Sequence, residues 1–183
     1  MPSHTPTHIF TTLRRIAFGM LLLIAAAVEL KAEEINPPFG LRWAENSDRI
    51  DKLLRGAKAN IIGKRQVEGR EAWDVEGLVQ QGLKRTVFYF VEGQLVEVEL
   101  QYEFADWDAT KYDEFMGQIR RRVEAKFGTG QLIARSKKPE GDVTQTLVGY
   151  KWNQNNSSIQ LFYFSAESTT QTYRSVSLHY KST

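Results

Sequence analysis

The stretch Gln94-Leu-Val-Glu-Val-Glu-Leu-Gln-Tyr-Glu-Phe104 alternates cleanly from Val96 onward, with Val96, Val98, Leu100, Tyr102 and Phe104 on one side and Glu97, Glu99, Gln101 and Glu103 on the other. A period of two marks a strand with one buried face. The run 84–91 before it is also strand-like, and Glu92-Gly93 between them has the chemistry of a two-residue hairpin turn. An antiparallel sheet is therefore the expected centre of the fold.

Upstream, residues 59–66 and 71–79 read as two further strands. Before them, Ser47 caps a short helix over 48–55, with Ile50, Leu53 and Leu54 on one side and Gly56 as its stop. Phe39-Gly-Leu-Arg-Trp43 reads as a short opening strand.

Downstream, Thr110-Lys-Tyr-Asp113 fits a capping box. Tyr112, Met116, Ile119, Val123 and Phe127 follow at helical spacing, with Phe115 alongside, and predict one apolar stripe on a helix ending at Gly128. Gly117 inside that helix predicts close packing against another backbone, because glycine there costs about 1 kcal/mol against alanine. Strand-like runs resume at 131–136, 143–152, 158–164 and 172–181, with turns at 137–142 and 153–157.

The expected fold class is α+β: two tandem helix-plus-antiparallel-sheet units forming one domain over 33–183, with half-repeats at about 39–104 and 108–183. A residue-level echo supports the duplication. Val87-Phe-Tyr-Phe90 is answered by Leu161-Phe-Tyr-Phe164, and Val98-Glu-Leu-Gln-Tyr102 by Val176-Ser-Leu-His-Tyr180. A period this long indicates paired half-domains, not a solenoid.

The first residues differ from the rest. Arg14 and Arg15 precede an apolar run from Ile16 to Val28, and Ala25-Ala26-Ala27 and Leu30-Lys31-Ala32 supply small-residue cleavage sites. That order predicts a cleavable signal peptide over 1–32 and a periplasmic or secreted mature protein. The run falls short of the roughly 20 residues that span a bilayer, although retention as an N-terminal anchor stays open.

Cleavage removes Arg14, Arg15, Lys31 and Glu29 from the 24 basic and 22 acidic residues, which leaves the mature chain formally neutral. Nucleic-acid binding, which calls for a basic excess, is not expected. His4 and His8 leave with the signal, so His179 is the one histidine of the mature chain, and cysteine is absent. His/Cys metal sites, a cysteine nucleophile, a disulfide framework and an N-terminal lipid anchor on cysteine are thereby excluded. No cofactor is implied.

In layout, and in the opening Phe39-Gly-Leu-Arg-Trp-Ala-Glu-Asn-Ser47 that leads into a short helix, the chain resembles the β-lactamase-inhibitor-protein fold. It is also similar to the small component of the outer-membrane β-barrel assembly machine. The inhibitors carry disulfides and the assembly component is a lipoprotein, two features this sequence lacks. The resemblance implies protein binding at the cell envelope and transfers no functional residue.

Catalytic readings meet simpler ones. Ser175 and Ser177 lie near His179, but Tyr173, Ser175, Ser177, His179 and Lys181 share one strand face. Neighbours two apart on a strand stand about 7 Å from each other, too far for a nucleophile–base contact, so a solvated face is expected. Glu97, Glu99 and Glu103, with Asp106 and Asp108 beyond, match no calcium-loop spacing and read as a polar strand face. Arg120-Arg-Arg122 and Lys126 read as the polar side of the long helix, with Arg120 placed to pair with Glu124.

The aromatic runs are the functional expectation. A strict two-residue turn at Glu92-Gly93 sets Tyr89 opposite Val96 and Val87 opposite Val98, which puts Phe88, Phe90 and Leu95 on the second face of the sheet. By duplication Phe162 and Phe164 continue that face. These five residues are the expected protein contact, for a partner protein or for self-association. The expected role is an exported, non-catalytic protein-binding, inhibitory or assembly module. A periplasmic hydrolase using Asp/Glu carboxylates and an N-terminally anchored envelope protein are the alternatives.

Overall fold

The computed structural model describes residues 34–183, so the predicted signal segment lies outside the described residues. The described chain is α+β: two helices and eight strands in a single antiparallel sheet. The elements run α1 (Ser47–Gly56), β1 (Asn60–Val67), β2 (Arg70–Glu76), β3 (Leu83–Val91), β4 (Gln94–Tyr102), α2 (Ala109–Phe127), β5 (Gln131–Glu140), β6 (Val143–Gln154), β7 (Ser157–Glu167) and β8 (Thr172–Ser182). The sheet order is β1-β2-β3-β4-β8-β7-β6-β5, so the two four-strand meanders join through their last strands.

One row of the ladder shows how the core is laid down. Trp73, Phe88, Val98, Tyr180, Ile159 and Trp152 are successive cross-strand partners and all point to the same face. Ile50 and Leu54 of α1 and Tyr112, Met116, Ile119 and Val123 of α2 close over that face. Both helices thus cover one side of the sheet, and among the described residues the other side is open. Among the described residues no helix is long and apolar enough to cross a membrane.

Several local expectations are corrected. The 39–43 segment is a pair of bends, not a strand, with Phe39 and Gly40 both at positive φ (64° and 70°). It hands over to a short stretch in which Ala44 donates to Leu95 O and Leu95 N donates to Glu45 O, each at 2.9 Å. Asn46, not Ser47, caps α1: its side-chain oxygen accepts from Asp48 N at 2.8 Å. Gly56 remains within the helix, and Lys58 takes the left-handed position beyond it. Asp108 caps α2 by accepting from Lys111 N, so the Thr110 capping box is not used. Gly117 meets no backbone. A Cβ there would find only the Arg121 guanidinium, at 3.3 Å. Strand β5 runs on through Lys137, Lys138 and Pro139 as the sheet's edge, where a missing N–H costs no ladder bond.

The hairpin turn is as read, with Glu92 (φ 50°) and Gly93 (φ 76°) both left-handed and Val91 opposite Gln94. Beyond it the register slips. Phe90 faces Leu95 but Tyr89 faces Glu97, so Val96 is a bulge residue without a partner. One extra residue reverses the face of everything upstream. Phe88 (1% exposed), Phe90 (1%) and Leu95 (0%) are therefore core residues beneath the helices, and the contact role expected for them is withdrawn. Val87, Tyr89 and Val96 turn to the open side, where they pack with Ala72 and Val67. The residue-level echo breaks with them. Phe88 lies on the helix face, whereas Phe162 lies on the other, between Leu161, a core residue, and Tyr163, which packs against the core.

Candidate functional site

The open face of the sheet divides into two regions. Over β5–β8 it is small and aromatic: Ala134, Gly149, Phe162 and Ser177 form one cross-strand row, and Ser136, Leu147, Phe164 and Ser175 the next. Gly149 is needed there. A Cβ at that position would sit 2.5 Å from the Phe162 ring and 3.2 Å from Ala134 Cβ, so the glycine lets the ring lie flat on the sheet. Phe164 and Tyr173 stand 6.1 Å apart, and Tyr173 is 47% exposed. Phe162 and Phe164 thus lie partly buried on the open face, unlike Phe88, Phe90 and Leu95.

Over β2, β4 and β8 the same face is charged and largely closed to water. Glu97, with its side chain 5% exposed, receives Arg70 at 2.6 Å, Lys181 at 3.2 Å and His179 Nδ1 at 3.0 Å. Beside it, Glu99 accepts from the Tyr89 hydroxyl and from Gln101, both at 2.8 Å. Arg70 also lies over the Tyr89 ring at 4.7 Å. Farther out, Arg65 pairs with Asp74 at 3.0 Å.

The electrostatics follow from this packing. Burial alone would raise the Glu97 carboxyl, but the hydrogen bond from His179, the charge of Lys181 and the contact with Arg70 outweigh it and hold the group below its usual range. The Tyr89 hydroxyl moves up, first because it is buried and then because Glu99 stands beside it. Of the carboxylates read in the sequence as a polar strand face and its continuation, Glu97, Glu99, Glu103 and Asp108 are thus engaged with partners. Glu103 accepts from Tyr173 and Asp108 caps α2. Among the described residues no group of three His, Asp or Glu could hold a metal ion.

The expected solvated position of His179 is overturned. Its imidazole leans back along β8, and Nε2 lies 3.1 Å from Ser177 Oγ. The separation of about 7 Å expected between second neighbours applies to the backbone; a long ring leaning along the strand spans much of it. Phe162 meets the imidazole edge to face, with centroids 5.6 Å apart at 90°. Ser177, His179 and Glu97 therefore form a continuous hydrogen-bonded line across two strands. Sequence reasoning missed Glu97 as its third member because β4 and β8 are far apart in the chain and nothing local announces their register.

The groove between α2 and β5–β7, of about 560 Å³, is lined by Gly117, Arg121, Arg135, Tyr150 and Tyr163, and its two carboxylates, Asp113 and Glu114, both come from α2. Compared with known proteins, the chain matches no family model, no curated protein and no solved structure.

Proposed function

We propose that this chain is an exported, non-catalytic protein-binding, inhibitory or assembly module of the cell envelope, which holds its partner on the open face of the sheet. One observation carries the reading. Two helices cover one face of an eight-stranded sheet, while the uncovered face presents Phe162, Phe164 and Tyr173 beside a charged cluster. An aromatic centre inside a polar rim is the anatomy of a protein interface, and a hydrogen-bonded sheet presents it on a rigid support. Of the five residues expected for the contact, Phe162 and Phe164 lie on this face, and Phe88, Phe90 and Leu95 do not.

The order helix, four strands, helix, four strands supports a tandem origin at the level of elements, with the seam at β4–β8. Tyr102 and Tyr180 both contribute to the helix-side core and hold equivalent places in the last strand of each unit. The export reading rests on the basic start and the apolar run from Ile16 to Val28. N-terminal sequencing of the mature protein should find a start near Glu33. A start at Met1 in the membrane fraction would replace export with anchoring.

The test of the binding reading is a paired capture from envelope extract. The natural chain and the double variant Phe164→Ala, Tyr173→Ala should melt alike, because both side chains are partly solvated. The same protein should be captured by the first and lost from the second. Equal capture by both would move the contact elsewhere.

A further inference from the structure

Among the described residues, Ser177 is a nucleophilic side chain of the open face for which the structure supplies both a base and a group that orients the base. Serine hydroxyls are weak nucleophiles until a neighbouring base takes the proton, and the base works best when a third group fixes its tautomer. Here Glu97 is that third group. Its carboxylate, clamped by Arg70 and Lys181, accepts from His179 Nδ1 at 3.0 Å. With the proton on Nδ1, the lone pair of Nε2 faces Ser177 Oγ at 3.1 Å. Phe162 packs edge to face with the ring, and a Glu99 oxygen lies 3.8 Å from Nε2.

The neighbours of Ser177 define what it would accept. Its ladder partners are Phe162 on β7 and Gln101 on β4. Beyond Phe162 lie Gly149 and Ala134, which make a flat apolar shelf. A short apolar group bonded to Ser177 Oγ would rest on that shelf. The other half of an acyl-transfer site is missing. Strand β8 is paired on both sides, so the backbone N–H groups around Ser177 serve the sheet and are not free to hold an oxyanion. Such donors contribute about 10²–10³ in rate.

We propose that Ser177 is an acylation site, taking one short apolar acyl group from an activated ester and keeping it. Ser177 Oγ bonds to the acyl carbon, its proton passes to His179 Nε2, the bond to the leaving oxygen breaks, and His179 returns the proton to that oxygen. The products are the Ser177 ester and the free alcohol or phenol. Retention follows from the leaving groups. An activated ester is electrophilic enough to be attacked without an oxyanion hole, whereas the Ser177 alkyl ester is not, and water attacking its carbonyl needs the oxyanion stabilisation that the strand lacks. The site is thus a covalent acceptor, consistent with a protein that does not turn over substrate, and it does not depend on the binding role proposed above.

The test uses the full chain with p-nitrophenyl acetate at neutral pH, following phenolate release and mapping the acetyl group by peptide mass. The expected result is a burst of about one equivalent per chain, with acetyl on Ser177 and no sustained turnover. Ser177→Ala, a small change on a half-exposed strand position, should abolish the burst while its circular dichroism melt stays near that of the parent. His179→Gln, which keeps a donor toward Glu97, should slow it by tenfold or more, since a positioned base contributes about 10²–10⁴. Acetyl confined to lysines, an equal burst from Ser177→Ala, or an unchanged rate in His179→Gln would each overturn the proposal. Sustained release of many equivalents would overturn retention.

Discussion

Phe88 stands opposite Val98 in the β3–β4 ladder, one residue away from the pairing that the two-residue turn alone dictates. The slip at Val96 turns an aromatic pair from the solvent side to the helix side. Phe90 touches Trp73, with ring centroids 4.7 Å apart. Phe90→Ala should therefore cost about 3–5 kcal/mol, the range for truncating a buried phenylalanine. Urea unfolding measures it, and a loss under 1 kcal/mol would show that the ring is not core.

Glu97 is the electrostatic centre of the open face, and its removal separates three groups from their common acceptor. Arg70 and Lys181 keep some contact with water, so Glu97→Gln should cost less than the roughly 3–5 kcal/mol of breaking a fully buried pair. About 2 kcal/mol is expected. A variant as stable as the parent would mean that the cluster contributes specificity without stability.

The same residue sets a pH dependence. The Glu97 carboxyl is held lower in the folded chain than in the unfolded one, because the His179 hydrogen bond and the charges of Lys181 and Arg70 outweigh burial. A depressed carboxyl contributes stability that is complete above its unfolded value, about 4.3, and is lost as the pH falls through the folded value. The urea midpoint should accordingly drop on acidification from about pH 7 to about pH 3, and Glu97→Gln should flatten part of that drop. Parallel curves for the two proteins would assign the acid sensitivity to other carboxylates.

The sequence was legible where chemistry is local. The stripe Tyr112, Met116, Ile119, Val123 forms the buried side of α2, and Glu92-Gly93 makes the turn its residues call for. It was illegible where a distant backbone decides. The alternation of 94–104 gives no sign of the bulge at Val96. In the fold, the N–H and C=O of Leu95 are bonded to Glu45 and Ala44, a contact formed only when the chain before α1 returns to the sheet. The cluster at Glu97 was hidden for a related reason. Glu97 and His179 become neighbours only through the β4–β8 pairing.

Gly117 should behave oppositely to what a tightly packed helix glycine would. Its added Cβ meets only the far end of Arg121, a flexible group that can move by a few tenths of an ångström. Gly117→Ala should then raise stability by about 1 kcal/mol through helix propensity. Destabilisation in a thermal melt would reveal a packing constraint at that turn of α2.

Gly149 and Phe162 make the sharpest structural prediction, because each explains the other. The ring lies where the Cβ of any other residue at 149 would stand, 2.5 Å away, and Ala134 at 3.2 Å limits movement on the other side. Gly149→Ala should lift the ring off the sheet and cost about 1–3 kcal/mol, the range for overpacking. In a Phe162→Ala background the obstacle is gone, and the same substitution should cost little. The interaction energy of the cycle should then fall at about 1 kcal/mol or above, as for residues in direct contact. Additive losses would mean that Gly149 is constrained by its backbone and not by the ring. The shelf beside Ser177 would then not be built as described, and the apolar support argued for an acyl group there would fail with it.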